Sequence, residues 1–198
     1  MKKLSTLALL IFGLFFFGCQ KENTITGPSA PYSNTVQPVS SNSLQWLEMP
    51  KMISHSLQKT ISSTGSILGS KGGEVKVNLQ YKDGPFGKFQ MQASLKIPKH
   101  AFTDDQTLNI IVTLDDQTTT ATFDPHPMTF NVPLVFDLEY TGIDVSSIDP
   151  TTLSFAYLAD DGSIQLAKFD KIEVNIKGNK ISVSGALIDH FSRFGFVR

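Results

Sequence analysis

Few residues of this chain have types and spacing that could do chemistry, and two places stand out. Cys19 is the only cysteine, so its thiol has no partner for an intrachain disulfide and needs another role. Near the other end of the chain, His190 and Ser192 flank Phe191. An imidazole can activate a nearby hydroxyl for attack on the preceding carbonyl, if that peptide is strained. The alternative is structural, with two polar strand-edge residues around a core phenylalanine.

Aspartate pairs and histidines are the remaining candidates for metal binding. Paired acids could bind calcium, but no segment has the spacing of a dedicated calcium loop, and turn formation is the simpler explanation. The histidines lie far apart in sequence, without the spacing of zinc ligands. The pairs are Asp104-Asp105, Asp115-Asp116 and Asp160-Asp161, and the histidines are His55, His100, His126 and His190. No glycine-rich phosphate loop, nucleophile elbow or redox pair occurs either. We therefore expect no metal, no cofactor and no enzymatic activity, with self-cleavage as the one open alternative.

Residues 1–18 have the layout of a cleaved secretion signal. Two lysines follow the initial methionine, Leu4–Phe17 is an almost unbroken apolar run, and Gly18 places a small residue before the cysteine. This order is typical of secretory signals. As a helix the apolar run reaches about 21 Å, which is short of the roughly 30 Å hydrocarbon core of a bilayer. A permanent membrane span is therefore the weaker interpretation.

The residues around the cleavage point, Phe16-Phe17-Gly18-Cys19, resemble the lipobox of bacterial lipoproteins. The resemblance implies that the cysteine receives a diacylglyceryl group and that its new amine is acylated, typically with palmitate. The commonest form of the motif has leucine where this chain has Phe16, and the alternative is an ordinary cysteine after a plain signal. Two or three acyl chains hold a protein stably at a membrane. The membrane is thus the first expected partner. Gln20, where inner-membrane lipoproteins carry aspartate, implies the outer membrane, on its periplasmic or its outer face.

The charge balance argues against a nucleic-acid partner. The precursor has a net charge of −1, and removal of residues 1–18 takes away Lys2 and Lys3 but no acid, which leaves −3. No cluster of lysine and arginine remains that could bind phosphates.

Residues 19–64 are predicted to be the lipidated cysteine and a flexible tether. Serine, threonine, asparagine, glutamine and proline dominate residues 20–43, which therefore bury too little apolar surface to offset the entropy of ordering. After Pro50, apolar residues recur at helical spacing and predict a short helix. They are Met52, Ile53, Leu57 and Ile61. Trp46 is expected to pack on the domain, because tryptophan is usually buried.

Residues 65–198 are predicted to form an all-β fold, an antiparallel β-sandwich. Apolar and polar residues alternate with the period of two that is typical of strands. Asp-Gly and Gly-Asn turns between these runs accept positive φ at little cost. The predicted strands cover residues 74–79, 89–97, 108–114, 121–123, 128–140, 153–158, 164–169, 172–176, 181–183 and 191–197. Without a disulfide, the core must hold the domain, and eleven phenylalanines between Phe86 and Phe196 are available for it.

Several segments of this region occur in a familiar order. They are Gly72-Gly73-Glu74-Val75, Leu95–Phe102, Phe123-Asp124-Pro125 and Phe130–Leu138. They resemble the β-sandwich domain of the ZU type, which zonula-occludens proteins, netrin receptors and ankyrins share. The resemblance covers residues 65–198 and implies a protein-interaction or structural module. In a ZU-type death-domain adaptor His-Phe-Ser is a self-cleavage site, so the resemblance implies the same chemistry for His190, Phe191 and Ser192.

The main functional hypothesis is a lipid-anchored cell-envelope lipoprotein that displays a non-enzymatic β-sandwich, with an envelope protein or a glycan as partner. The alternative is a self-processing domain that cleaves between Phe191 and Ser192. A third hypothesis is a carbohydrate-binding module. It has the least support, because Trp46 is the only tryptophan and the tyrosines of the domain lie within strand patterns.

Overall fold

The computed structural model describes residues 44–49, 60–84, 86–115 and 117–198. The predicted signal (residues 1–18) and Cys19 lie outside the described residues. The predicted helix after Pro50 also lies outside them, except for its last two residues, Thr60 and Ile61.

The described residues form eleven strands and no helix. The strands are β1 (Thr60–Leu68), β2 (Gly73–Gly84), β3 (Gly87–Ile97), β4 (Thr107–Asp115), β5 (Thr120–Asp124), β6 (Thr129–Thr141), β7 (Ser154–Leu158), β8 (Ile164–Leu166), β9 (Lys171–Asn175), β10 (Lys180–His190) and β11 (Arg193–Val197). A six-stranded sheet has the order β1-β4-β5-β11-β7-β8, and a five-stranded sheet has the order β2-β3-β6-β10-β9. Every strand pair is antiparallel. The predicted all-β antiparallel sandwich is confirmed.

One hydrophobic core joins the inner faces of the two sheets. Successive side chains of a strand point to opposite faces, and β3 shows the result in five buried residues that alternate with outward-facing ones. They are Phe89, Met91, Ala93, Leu95 and Ile97. Phenylalanines fill the centre of the core, where the rings of Phe123 and Phe136 meet edge to face with centroids 4.9 Å apart.

The first strand corrects the predicted start of the domain. β1 begins at Thr60, so residues 60–64 belong to the six-stranded sheet and not to the tether. Ile61, predicted on the helical stripe, lies in β1 opposite Leu114. The physical reason is that strand pairing with β4 decides the structure of this segment. Its serines, threonines and glycine give only a weak hydrophobic signal of their own.

The segment ahead of β1 also belongs to the folded domain. Gln45 and Arg198 exchange two backbone hydrogen bonds of 3.0 Å, and the N–H of Leu47 donates to the carbonyl of Phe196 at 2.8 Å. Leu47 is buried in the core. Trp46 lies between these paired residues and is partly buried, which agrees with the prediction that it packs on the domain.

Two strands near the C-terminus position the predicted cleavage residues. β10 (Lys180–His190) continues well past the end of the strand predicted there. A bulge near Gly185, whose φ is 66°, breaks the alternation that marks a strand in sequence. β11 starts at Arg193 in the other sheet. Phe191 and Ser192 therefore form the crossing from the five-stranded to the six-stranded sheet.

Candidate functional site

The predicted cleavage residues lie at a corner of the sandwich, which we call the β10–β11 corner (residues 190–192). The connection from β5 to β6 crosses between the sheets at the same place. Backbone hydrogen bonds join the two crossings, from the N–H of Phe191 to the carbonyl of Met128 (2.7 Å) and from the N–H of Phe123 to the carbonyl of Ser192 (3.2 Å).

Phe191 serves as a core residue at this corner. Its side chain is fully buried. Its ring stacks on Phe123 with centroids 5.8 Å apart and meets Phe130 edge to face at 4.8 Å. The structural alternative for Phe191, a core role, is confirmed by this packing.

The hydroxyl of Ser192 is nearly buried and has a backbone partner. Ser192 is 8% exposed, and its Oγ donates a hydrogen bond to the carbonyl oxygen of Leu158. A carbonyl oxygen accepts a hydrogen bond but is too weak a base to remove the proton. This contact therefore holds the hydroxyl in place without activating it.

His190 has different partners from those of Ser192. Its Nδ1 lies 2.6 Å from Oδ1 of Asp189, and its ring meets the ring of Tyr157 edge to face with centroids 4.7 Å apart. Burial raises the pKa of the Tyr157 hydroxyl, and the negative charge of Asp189 raises it further. The structure thus brings the three predicted residues to one corner, with the imidazole directed at Asp189 and Tyr157.

His126 also reaches the corner, and sequence spacing does not reveal this. Its Nδ1 lies 2.5 Å from the carbonyl oxygen of Phe191, 65 residues away, and its Nε2 lies 4.0 Å from Oδ1 of Asp160. Because a carbonyl only accepts, Nδ1 carries the proton and donates. A donor on this oxygen polarises the carbonyl that the Ser192 hydroxyl would attack.

A second candidate site lies on the outer face of the five-stranded sheet. It is an open groove of about 440 Å³ that crosses β2, β3, β6 and β10. We call it the polar groove. It is lined by the outward-facing residues Lys76, Asn78, Gln92, Ser94, Asp137, Glu139, Ser182 and Ser184.

Cross-strand pairing arranges these side chains in rows across the sheet. The first row is Asn78, Gln92, Glu139 and Ser182, and the second is Lys76, Ser94 and Asp137. Directly opposed residues on one face of an antiparallel pair have Cβ atoms about 5 Å apart. The groove therefore offers unbroken lines of amide, hydroxyl, carboxylate and ammonium groups.

The charged side chains on this face form four ion pairs. The pairs are Lys76–Glu74 (2.8 Å), Lys96–Asp137 (2.9 Å), Lys171–Glu173 (3.1 Å) and Lys180–Glu139 (3.2 Å). Hydrogen bonding to Lys76 lowers the pKa of the Glu74 carboxyl, and hydrogen bonding to Asp137 raises the pKa of the Lys96 ammonium. Each pair is neutral as a unit, so the uncharged groups of the groove define its chemistry.

Several aspartates of the loops cap turns. Oδ1 of Asp161 accepts the N–H of Ser163 at 2.8 Å, and hydrogen bonding to Ser163 lowers the pKa of Asp161. Asp144 and Asp149 make the same contact two residues ahead. The turn-forming interpretation is confirmed for Asp161. Across the described ranges, no group of three or more histidine, cysteine or acidic side chains is arranged to hold a metal ion.

Comparison with known proteins gives no relative whose function could point to either of the two sites. No family model, curated protein or solved structure matches the chain. The class that the fold defines is an antiparallel β-sandwich, and the ZU-type resemblance stays a prediction. In the part of the chain that the structure describes, no helix has the length and hydropathy needed to span a bilayer.

Proposed function

We propose that this chain is a lipid-anchored, non-enzymatic binding module of the bacterial cell envelope. Cys19 holds it at the outer membrane, and the polar groove binds its partner. The observation that carries the proposal is the groove itself, an open cavity of about 440 Å³ on a sheet face whose charges already pair with one another. The ZU-type resemblance supports the same class of function.

The chemistry of the groove favours an extended neutral partner. Asn78, Gln92 and Ser182 offer uncharged donors and acceptors. A strongly charged ligand would have to separate the ion pairs of the face, which a neutral ligand leaves intact. Protein interfaces rely on tryptophan, tyrosine and arginine anchors, and the groove lining contains none of them. The same lining offers no aromatic ring on which a sugar could stack, so a glycan would be held by the amide and hydroxyl groups alone. We propose a neutral envelope glycan as the partner, because its hydroxyls match these uncharged groups.

The anchor is tested by Cys19→Ser in the full chain, expressed in a Gram-negative host that is fed labelled palmitate. We expect the wild-type chain to carry the label and to sediment with outer membranes. The variant should lose the label and move to the soluble periplasmic fraction. Equal sedimentation of both chains would contradict anchoring through Cys19.

The groove is tested by co-sedimentation of the full chain, held in detergent micelles, with insoluble envelope fragments. The double variant Ser94→Arg, Ser182→Arg places two arginine side chains in the groove. We expect its binding to fall about tenfold, which is 1.4 kcal/mol. Gln106→Arg, at an exposed loop position, is the matched control. Equal midpoints of urea unfolding show that the variants are folded. Unchanged binding by the double variant would refute the groove as the binding face.

Treatment of the fragments then separates the two partner classes. Periodate cleaves vicinal diols and should abolish binding if the partner is a glycan, whereas protease treatment should leave it unchanged. The opposite result would assign an envelope protein to the groove.

A second candidate function, self-processing, is favoured by the contact of His126 with the carbonyl of Phe191. In this scheme Oγ of Ser192 bonds to that carbonyl carbon while the C–N bond breaks. The hydroxyl proton would pass to the freed amine through His190, whose imidazole must first leave its contacts with Asp189 and Tyr157. Water then hydrolyses the ester, which leaves a carboxylate on Phe191 and a new chain that begins at Ser192. His126 would donate to the oxygen as its negative charge develops.

Intact mass under denaturing conditions tests self-processing. The cleaved form lacks residues 192–198, and Ser192→Ala should remain whole. His126→Phe should slow cleavage by about one hundredfold or more, as loss of an oxyanion donor does elsewhere, while His100→Phe should not. A full-length mass alone, after prolonged incubation of the wild-type chain, would refute this candidate.

A further inference from the structure

Among the described strands, β1 is the one long sheet edge without charge. β1 and β8 border the six-stranded sheet, and β2 and β9 border the five-stranded sheet. Edge strands usually avoid unwanted pairing through charges, proline or shortness. β2 carries Glu74 and Lys76, β9 carries Lys171 and Glu173, and β8 spans only three residues. β1 has nine residues, and none of them is charged or proline.

We propose that β1 pairs with β1 of a second copy of this chain. The two strands run antiparallel about a twofold axis at Thr64, and the two six-stranded sheets join into one continuous sheet. Within the described residues β1 pairs with β4 alone, so its other edge can accept a strand. The inference is independent of the polar groove, which lies on the other sheet.

The sequence of β1 matches itself in this register. The register sets Ile61 of each copy opposite Ile67 of the other, Ser62 opposite Ser66 and Thr64 opposite Thr64. In the alternation of β1, Ile61 and Ile67 share the more buried face, whereas Ser62, Thr64 and Ser66 are exposed. Ile61 is only partly buried, and Ile67 is 6% exposed. Pairing therefore covers Ile61 with an apolar neighbour and sets hydroxyls against hydroxyls.

The absence of charge favours self-pairing of β1 over self-pairing of β9. A twofold contact places the same surface of both copies together, so a charged residue on the axis meets its own charge. The same operation on β9 about its central residue would place Glu173 against itself, which is unfavourable. β1 has no charge to repel its copy.

The contact is expected to be weak in dilute solution and stronger at a membrane. Pairing of one nine-residue strand buries less than the roughly 1,600 Å² of a standard interface. Copies held on one bilayer by the proposed anchor meet at a higher effective concentration. Two polar grooves would then face envelope ligands from one assembly.

Cysteine cross-linking in membranes of the expressing cells tests both the partner and the register. In an antiparallel pair, opposed Cα atoms lie about 5 Å apart, within disulfide reach. Thr64→Cys on the axis should therefore give a disulfide-linked dimer under mild oxidation. Thr60→Cys in the same strand is the matched control, because its two copies would lie about 27 Å apart. The wild-type chain, which has Cys19 alone, controls for that cysteine.

We expect at least about tenfold more dimer from Thr64→Cys than from Thr60→Cys. The two copies of residue 64 lie about 5 Å apart, within disulfide reach, whereas the two copies of residue 60 lie about 27 Å apart, outside it. As a second measurement, Thr64→Lys sets a lysine against its copy and should abolish the dimer seen by sedimentation velocity at high concentration. Equal cross-linking at both positions would refute the register. Absence of a cross-linked dimer from Thr64→Cys would overturn the proposal. That result is expected if the free edge of β1 is covered by another segment of the same chain.

Discussion

The polar groove and the β10–β11 corner use polar side chains in opposite ways. In the groove, lysines and acids are at least partly exposed and pair with one another along the sheet surface. At the corner, the Ser192 hydroxyl and the His126 imidazole lie in the two crossings between the sheets and hydrogen-bond to backbone carbonyls of other segments. Polar groups that pair with buried backbone hold the fold together, whereas paired surface charges contribute little to stability. Substitutions should therefore cost stability at the corner and binding at the groove.

The largest loss of stability should come from the corner phenylalanine. Phe191→Ala removes a fully buried ring and leaves a cavity among aromatic neighbours, so we expect the free energy of unfolding to fall by about 3–5 kcal/mol. Urea denaturation monitored by fluorescence measures it. Phe86→Ala is the control, because Phe86 is 49% exposed and should change stability by less than about 0.5 kcal/mol. A small loss at Phe191 would show that the corner is loosely packed.

A pair of serines gives the sharpest test of the comparison. Ser192→Ala removes the donor to the carbonyl of Leu158 at a nearly buried position, and we expect a loss of about 1–2 kcal/mol in the free energy of unfolding. Ser182→Ala deletes the same hydroxyl from the groove and should cost less than about 0.5 kcal/mol. Equal losses at the two serines would break the comparison.

A smaller effect is expected for the ion pair between Lys96 and Asp137. A double-mutant cycle with alanine at both positions should give a coupling energy of about 0.2–1 kcal/mol, and salt should reduce it. The single variants should differ, because Asp137 also accepts the N–H of Gly185 in the β10 bulge at 2.9 Å. Asp137→Ala should thus destabilise the protein more than Lys96→Ala does. Equal single losses would mean that the bulge does not need this acceptor.

The smallest effect should be the pH dependence of the stability that the Glu74–Lys76 ion pair contributes beside the polar groove. Pairing with Lys76 lowers the pKa of Glu74 below its ordinary value of 4.5. The stabilisation is then complete above pH 4.5 and is lost as the pH falls through the lower native pKa. Lys76→Gln should raise the pKa of Glu74 toward 4.5 in an NMR titration, and Lys71→Gln should leave it unchanged. No change with Lys76→Gln would show that the pair is broken in solution.

The sequence predicts the strands well where apolar and polar residues alternate. β3 and β6 follow this rule, because one face of each is buried in the core. β1 lacks the signal, since its serines, threonines and single glycine depend on β4 for their structure. β10 lacks part of it, because the bulge at Gly185 shifts the alternation by a residue.

The candidate sites are harder to predict than the strands. The motif at residues 190–192 can be read directly, but the contact of His126 with Phe191 depends on two crossings that meet only in the folded chain. The polar groove needs the register of four strands. A single strand shows only that Gln92 and Ser94 alternate with apolar residues. Cross-strand neighbours come from long-range pairing, which local periodicity does not encode.

The ladder between residues 45–47 and the end of the chain has a mechanical consequence. The backbone pair of Gln45 with Arg198 is its outermost rung, and the bond from Leu47 to Phe196 is the next. In the proposed anchored form, tension from the membrane enters the domain at Leu44 and reaches these rungs before any strand of the core. These hydrogen bonds would break one after another at low force, and the released residues would lengthen the tether. The sandwich would unfold only at a higher force, because its strands are paired along their length and packed on the core.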